Sequence, residues 1–366
     1  MKSPSAYRAA VVAHKVDGDG LQVVPHGSNR PCLLEGTALR IWECLEYPAS
    51  RDEIVSALRP EFAADDDTLA QDVEEFLSDM VARSLVVVTP RLPSPEDRLR
   101  QRYLWILKRS LVNLLYPEDE LRWRSPEVWA HLPKGPQRGR ALRDIGRVLP
   151  DELRDLQRRK VDGKVQGSHT MIGLQRLHQL ERCAETLFEE GVPGDFLEAG
   201  VCQGGAAIFL RALQVSHGQG HRRLWAADSF EGLPPATSPV DLELGMHMDG
   251  LSWLSYSLDE VREHFRRYDL LDEGVRFLPG WFCESLPNAP VKQTALLRLD
   301  GDLYSSTRET LDALYSRVAP GGFVVVDDYY YFRACGRAVD EFRASRNVAS
   351  PIRRGDWNSA QWRKEG

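Results

Sequence analysis

Two stretches decide the fold: Leu296-Leu-Arg-Leu-Asp300-Gly-Asp-Leu-Tyr304 and Gly321-Gly-Phe-Val-Val-Val-Asp327-Asp328-Tyr329. Each is an apolar run that stops abruptly at carboxylates. Unbroken apolar runs read as parallel strands buried on both faces. Ligands of open α/β sheets bind just beyond the carboxyl ends of such strands. Asp300, Asp327 and Asp328 are therefore expected at one rim. Clustered carboxylates repel one another unless protons or a cation intervene, so a hard divalent ion is their natural guest. A single strand-end aspartate is usually just solvated; the grouping is what points to a metal-assisted site on a doubly wound sheet.

Upstream, Gly194-Asp-Phe-Leu-Glu198-Ala-Gly200-Val-Cys-Gln-Gly204-Gly205 reads as a strand, a glycine turn and the start of an apolar helix. Gly200 and Gly204 let the backbone approach a ligand closely at a helix N-terminus. The next strand, Arg223 to Ala227, ends in Asp228-Ser229-Phe-Glu-Gly232. An acidic residue there typically bonds ribose hydroxyls. Cys202 stands where a dinucleotide-binding turn needs its second glycine, which counts against a pyrophosphate ligand. Glu198 and Asp228 instead suit S-adenosylmethionine, whose cationic groups need no phosphate cradle.

At 366 residues, two domains are the default. The net charge of −7 gives no basic field for nucleic acid or an anionic membrane. No apolar stretch approaches the roughly 20 residues of a membrane span, and Met1 to Arg8 lacks a signal-peptide core. The 6 cysteines are scattered without a Cys-x-x-Cys pair, which indicates reduced thiols and a cytoplasmic protein. The composition allows a homo-oligomer.

Residues 1–90 are expected to fold separately, followed by a linker and helical lid region over 91–168 and the α/β domain over 169–366. In the first part, Asp17-Gly-Asp-Gly20 signals a hairpin. Ser50-Arg-Asp-Glu53 is a capping box, and Val73, Phe76, Leu77, Met80 and Val81 form a helical stripe. Strands, three short helices and a closing strand make a winged-helix-like α+β pattern. Its third helix is acidic (Asp72, Glu74, Glu75, Asp79), which DNA phosphates would repel. The pieces Leu33 to Trp42, Ser50 to Val55 and Val73 to Leu85 resemble the PqqD-like peptide-recognition elements. That resemblance implies a precursor (leader) peptide as partner, added as a strand to a sheet edge.

From about residue 98 onward the chain resembles the macrocin O-methyltransferase family. The residues that carry this are Thr170-Met171-Ile-Gly173, Glu198-Ala-Gly200, Ala227 to Pro234, Val275 to Phe282, Leu297 to Tyr304 and Val326 to Tyr329. The resemblance implies a class I methyltransferase fold, S-adenosylmethionine and Mg²⁺. By motif position Asp300, Asp327 and Asp328 would hold the metal. Glu198, Gly200, Asp228 and Ser229 would hold the cofactor, with Thr170 and Met171 closing over it. The base is expected to be Asp300 itself or a histidine, His169 or His247. Trp281, Tyr329, Tyr330 and Trp357 are candidates for the acceptor pocket. The fused first domain points to a ribosomally made peptide as substrate, methylated on a hydroxyl, a carboxylate or an attached sugar; a small glycosylated metabolite and a non-catalytic peptide scaffold are the alternatives.

Overall fold

The computed structural model describes residues 6–9, 13–17, 20–24, 32–62, 66–89, 92–113, 115, 168–356 and 358–366. The tip of the Asp17–Gly20 turn, residues 116–167 of the expected lid, and Trp357 lie outside the described residues. The chain divides into two compact units, Met1–Tyr103 with Arg354–Trp357, and Leu104–Arg353 with Asn358–Gly366.

In chain order the first unit contains β1 (Ala6–Ala9), β2 (Ala13–Asp17), β3 (Gly20–Val24), β4 (Cys32–Leu34), α1 (Gly36–Cys44), α2 (Arg51–Leu58), α3 (Asp66–Ala82) and β5 (Val86–Thr89). Strands β2, β3 and β4 form one antiparallel sheet, while β1 pairs antiparallel with β5. The capping box at Ser50 is present: the Glu53 amide donates to Ser50 Oγ and the Ser50 amide donates to Glu53 Oε2. Ile41, Leu45, Ile54, Leu58, Val73, Leu77 and Leu85 converge in one core, the helical stripes closing on the strands.

Helix α4 (Pro95–Leu111) follows, then α5 (Gly173–Glu189), β6 (Asp195–Ala199), α6 (Gly205–Ser216), β7 (Leu224–Asp228), α7 (Pro239–Glu243), α8 (Leu258–Arg267), β8 (Val275–Pro279), α9 (Phe282–Ser285), β9 (Thr294–Leu299), α10 (Tyr304–Leu314), β10 (Val318–Val326), α11 (Arg333–Ser345) and β11 (Ala360–Arg363). Strands β8, β7, β6, β9, β10 and β11 lie side by side in that order. The first five are mutually parallel, and β11 runs antiparallel to β10. Successive strand residues point to opposite faces, and here both faces are buried. Phe196, Leu296 and Val325 enter the core with α5, α6 and α8, whereas Leu197, Leu297 and Val324 enter the core with α10 and α11. Helices cover both sides, which explains the continuous apolar runs in the sequence.

The strand order reverses between β6 and β9, the position where such sheets open a ligand crevice. Gly200 follows β6 with φ at +93°, and a Cβ added there would fall 1.8 Å from the Asp300 carbonyl oxygen. Only glycine lets the two strand ends approach this closely. No described helix is long and apolar enough to cross a membrane.

A buried ion pair pins α4 to α5 within the second unit: Lys108 Nζ donates to Glu181 Oε2 at 2.8 Å, the side chains 0% and 2% exposed. Removing one partner of such a pair strands the other charge and costs about 3–5 kcal/mol, whereas exchanging both for apolar groups is close to neutral. Lys108→Met should therefore lower the denaturant midpoint markedly, and the double variant Lys108→Met, Glu181→Leu should recover most of the loss. Equal midpoints for the single and double variants would show that the pair is not what fixes α4.

Candidate active site

The carboxyl ends of β6, β7, β9 and β10 border a cavity of about 580 Å³. Every described residue lining it belongs to the second unit. At its centre stands Arg298 of β9, 1% exposed. Its guanidinium donates to Glu198 Oε1 on β6, to Asp300 Oδ2 at 2.8 Å and to Asp327 Oδ1 at 2.6 Å. Asp327 also accepts from Arg176 of α5. Both oxygens of Asp327 are thus taken by guanidinium groups, and its side chain is 5% exposed.

The carboxylates that converge are Asp300, Asp302 and Asp328, each offering an oxygen within 4.8 Å of the others. This differs from the expected set: Asp302 takes the place of Asp327. The reason is local. Asp302 holds a left-handed backbone, φ +57°, in the turn after β9, and this sharp turn returns the chain to the cavity. Asp328 Oδ1 accepts from Asn358 at 2.6 Å. Burial pushes the Asp300 carboxyl up to about 6, against the pull of Arg298. Burial also holds Asp302 well above the usual carboxylate range, with repulsion from Asp328 and Asp300 adding to it. The donor set of three close, mostly desolvated carboxylates fits a hard divalent cation.

On the cofactor side, Glu198 is 1% exposed, and its Oε2 has no hydrogen-bond partner. Burial raises its pKa to about 8. A buried carboxylate oxygen without a donor is costly unless a ligand supplies one. Asp228 is committed to the backbone: Oδ2 accepts from the amides of Val201 (2.8 Å) and Cys202 (3.2 Å), and Oδ1 from Phe230 (2.8 Å). It braces the glycine turn while still lining the cavity, as do Gly200, Ser229, Thr170 and Met171. Ser229 Oγ donates to the Gly232 carbonyl at 2.7 Å, shaping the turn after β7. Gly204, φ +87°, lies outside the lining; a Cβ there would meet Val261 at 2.9 Å, so its place is a packing contact with α8. At Gly205 an added Cβ would fall 2.1 Å from the His169 carbonyl oxygen, so the Thr170 segment rests directly on the start of α6.

The two histidines part company. His169 lines the cavity; its Nδ1 lies 2.8 Å from Tyr268 Oη, and burial lowers its pKa to about 4, which makes it a weak base. His247 is exposed after α7 and lies outside the lining, although its neighbour Met248 lines the cavity. Of the aromatics, Trp281 lines the cavity, joined by Trp253 and Tyr331, whereas Tyr329 donates to Asp340 at 2.8 Å and Tyr330 is 40% exposed. Sequence reading missed Asp302, Arg176, Arg298 and Asn358. Asp302 was visible as a second carboxylate two residues after Asp300, and Arg298 as the one charge inside a buried strand.

Residues 100–364 match the family profile described as macrocin-O-methyltransferase (TylF), and residues 23–86 match that of coenzyme PQQ synthesis protein D (PqqD). Over 267 residues the chain is 47% identical to an 8-demethyl-8-(2,3-dimethoxy-alpha-L-rhamnosyl)-tetracenomycin-C 4'-O-methyltransferase of Streptomyces olivaceus, covering 72% of this chain and 93% of that protein. It is 43% identical over 201 residues to a mycinamicin III 3''-O-methyltransferase of Micromonospora griseorubida, covering 54% and 79% respectively. Among solved structures, the O-methyltransferase NovP aligns with a TM-score of 0.60 at 36% identity, over 73% of this chain and 100% of its own. The buried Glu198, the brace at Asp228 and the carboxylate cluster beyond β9 and β10 thus lie on a chain that belongs to the macrocin O-methyltransferase family, natural-product-tailoring O-methyltransferases that use S-adenosylmethionine on a class I fold.

Proposed function

We propose that the enzyme methylates a hydroxyl of a sugar carried by a natural product, with a divalent cation such as Mg²⁺ held by Asp300, Asp302 and Asp328. The observation that carries this is the convergence of those three carboxylates beside the partnerless oxygen of Glu198 in one cavity. The relatives' names support the acceptor class: the S. olivaceus enzyme is a 4'-O-methyltransferase of a rhamnosyl compound, and the M. griseorubida enzyme a 3''-O-methyltransferase of mycinamicin III. These names favour a sugar hydroxyl over the peptide hydroxyl or carboxylate among the acceptors expected from the fused first unit, which also included a sugar attached to the peptide.

S-adenosylmethionine supplies the electrophilic methyl group, and a bound cation lowers the pKa of an acceptor hydroxyl. The chain's own groups do the rest. Glu198 and the glycine turn braced by Asp228 fix the cofactor side. Arg298 spans from Glu198 to Asp300 and so sets the distance between the cofactor and acceptor halves. Asp300 is tied to Arg298 and Asp328 to Asn358, whereas the groups that act on Asp302 are chiefly the other two carboxylates. Asp302 is therefore the group placed to take the hydroxyl proton as the oxygen–methyl bond forms and the sulfur–methyl bond breaks.

A second reading rests on the match of residues 23–86 to the PqqD profile. On it, the first unit binds a leader peptide and the methylated group sits on that peptide. The discriminating experiment is transfer of labelled methyl from S-adenosylmethionine to mycinamicin III, the acceptor named for the M. griseorubida relative, and to the precursor peptide encoded nearest the gene. Methylation of glycosides alone supports the first reading; methylation of the peptide alone replaces it with the second. Retained turnover in excess chelator would end the metal assignment.

Asp302→Asn should cut turnover by roughly 10²–10⁴, the worth of a positioned base, with affinity for S-adenosylhomocysteine within about threefold. Turnover above a tenth of the parent rate would remove Asp302 from the base role. A pH dependence follows as well. Protons compete with the cation for carboxylates whose folded pKa values are raised, Asp300 to about 6. Their contribution to the stability of the ion-free protein is complete at low pH and is lost as pH rises through 6, where cation binding takes over. Mg²⁺ affinity by calorimetry should therefore rise by about tenfold or more from pH 5.5 to 7.5, with proton release. An affinity independent of pH would contradict the assignment of these ligands.

A further inference from the structure

Helix α10 begins at Tyr304, directly after the Asp300-Gly-Asp302-Leu303 turn. The first amides of a helix lack intrahelical partners and normally take a side-chain cap from the residue just before. Here that residue is Leu303, which makes no cap and is instead wholly buried. The residue before it, Asp302, is committed to the carboxylate cluster. The cap comes from elsewhere in the chain. Asp241 of α7, 0% exposed, accepts from the Tyr304 amide at 2.7 Å on Oδ1, and from the Ser305 amide at 3.1 Å and Ser305 Oγ at 2.9 Å on Oδ2.

The segment that carries Asp241 also forms a wall of the cavity, through Leu233, Pro235, Thr237, Met248 and Trp253. A small apolar cluster backs the same contact: Met246, Leu303 and Ala334 are packed with Leu244, Met248 and Phe332. We infer that Asp241 is a positioning residue, a cap supplied across the fold that latches the cavity wall of residues 233–254 onto the turn holding Asp302 and Ser305. Its carboxylate is favoured at the positive end of α10, and its loss leaves two part-buried amides without that acceptor. The sheet and the Glu198 side of the cavity make no use of it.

The inference rests on the reading of Asp300, Asp302 and Asp328 as cation ligands, and the test separates the two. Asp241→Ala and Asp241→Asn, each saturated with S-adenosylhomocysteine, are compared with the parent for Mg²⁺ affinity by calorimetry and for amide hydrogen exchange. Asp241→Ala should weaken Mg²⁺ binding about tenfold, the scale of a lost helix cap, and speed exchange at Tyr304, Ser305 and residues 239–254. S-adenosylhomocysteine affinity should stay within about twofold. Asp241→Asn keeps one acceptor oxygen and should fall between the two, which keeps the test alive should the alanine variant not fold. Unchanged exchange at Tyr304 and Ser305 in the asparagine variant would overturn the latch. So would a parallel loss of Mg²⁺ and S-adenosylhomocysteine binding, which marks general unfolding. Parent protein that binds no Mg²⁺ would refute the cation reading, while the exchange data still decide the latch.

Discussion

A single buried guanidinium organises the site. Arg298 leaves the central strand β9 and holds Glu198, Asp300 and Asp327 from three adjacent strand ends. Burying an arginine is expensive unless its charge is paired and its donors are satisfied. Burying that many carboxylates is worse. Each side makes the other tolerable, and Arg176 adds a second cation on the far oxygen of Asp327. The pairing does not fully neutralise the crowd. Burial drives Glu198 up to about 8 and Asp300 to about 6, with neighbouring carboxylates adding to both shifts. A fold that stores this much repulsion at its switch point is built to be completed by positive charge.

The geometry around Arg298 also separates two kinds of aspartate that look alike in the sequence. Asp327 and Asp328 are neighbours in the turn that follows β10, and their side chains go to different surroundings. Asp327 turns to the two arginines; Asp328 turns to Asn358 and the cluster. A reading by motif cannot see that choice, because it depends on Arg176 from α5 and on Asn358 next to β11, which reach the site only through folding. The sheet itself was legible, since apolar runs ending in carboxylates, a glycine turn and a second acidic strand tip are local signals. Asp302 was visible as a second carboxylate, but the turn that brings it into the cluster was not: a positive φ on an aspartate is not written in composition or spacing.

His169 shows the limit of residue type as a guide to chemistry. Imidazole near a methyl-transfer site suggests a base, yet its burial against Tyr268 and His264 lowers its affinity for protons. Its backbone matters more than its ring: the carbonyl packs on Gly205 and so seats the Thr170 segment against α6. His247 has the right chemistry at an exposed place. Burial that raises a carboxylic acid's pKa lowers a histidine's. In this cavity the same desolvation therefore raises the proton affinity of Asp302 and lowers that of His169.

The cavity draws its described lining from the second unit alone, including both candidate ligand sets. If the first unit held a peptide, it would act on the reaction by raising local concentration, an effect set by tether length rather than by contacts at the reacting atoms. Such a gain appears in KM and vanishes when substrate saturates. A sugar hydroxyl borne by a peptide would then be reached by the same three carboxylates as one borne by a small aglycone. The two acceptor readings differ in what delivers the hydroxyl, and not in the site that receives it.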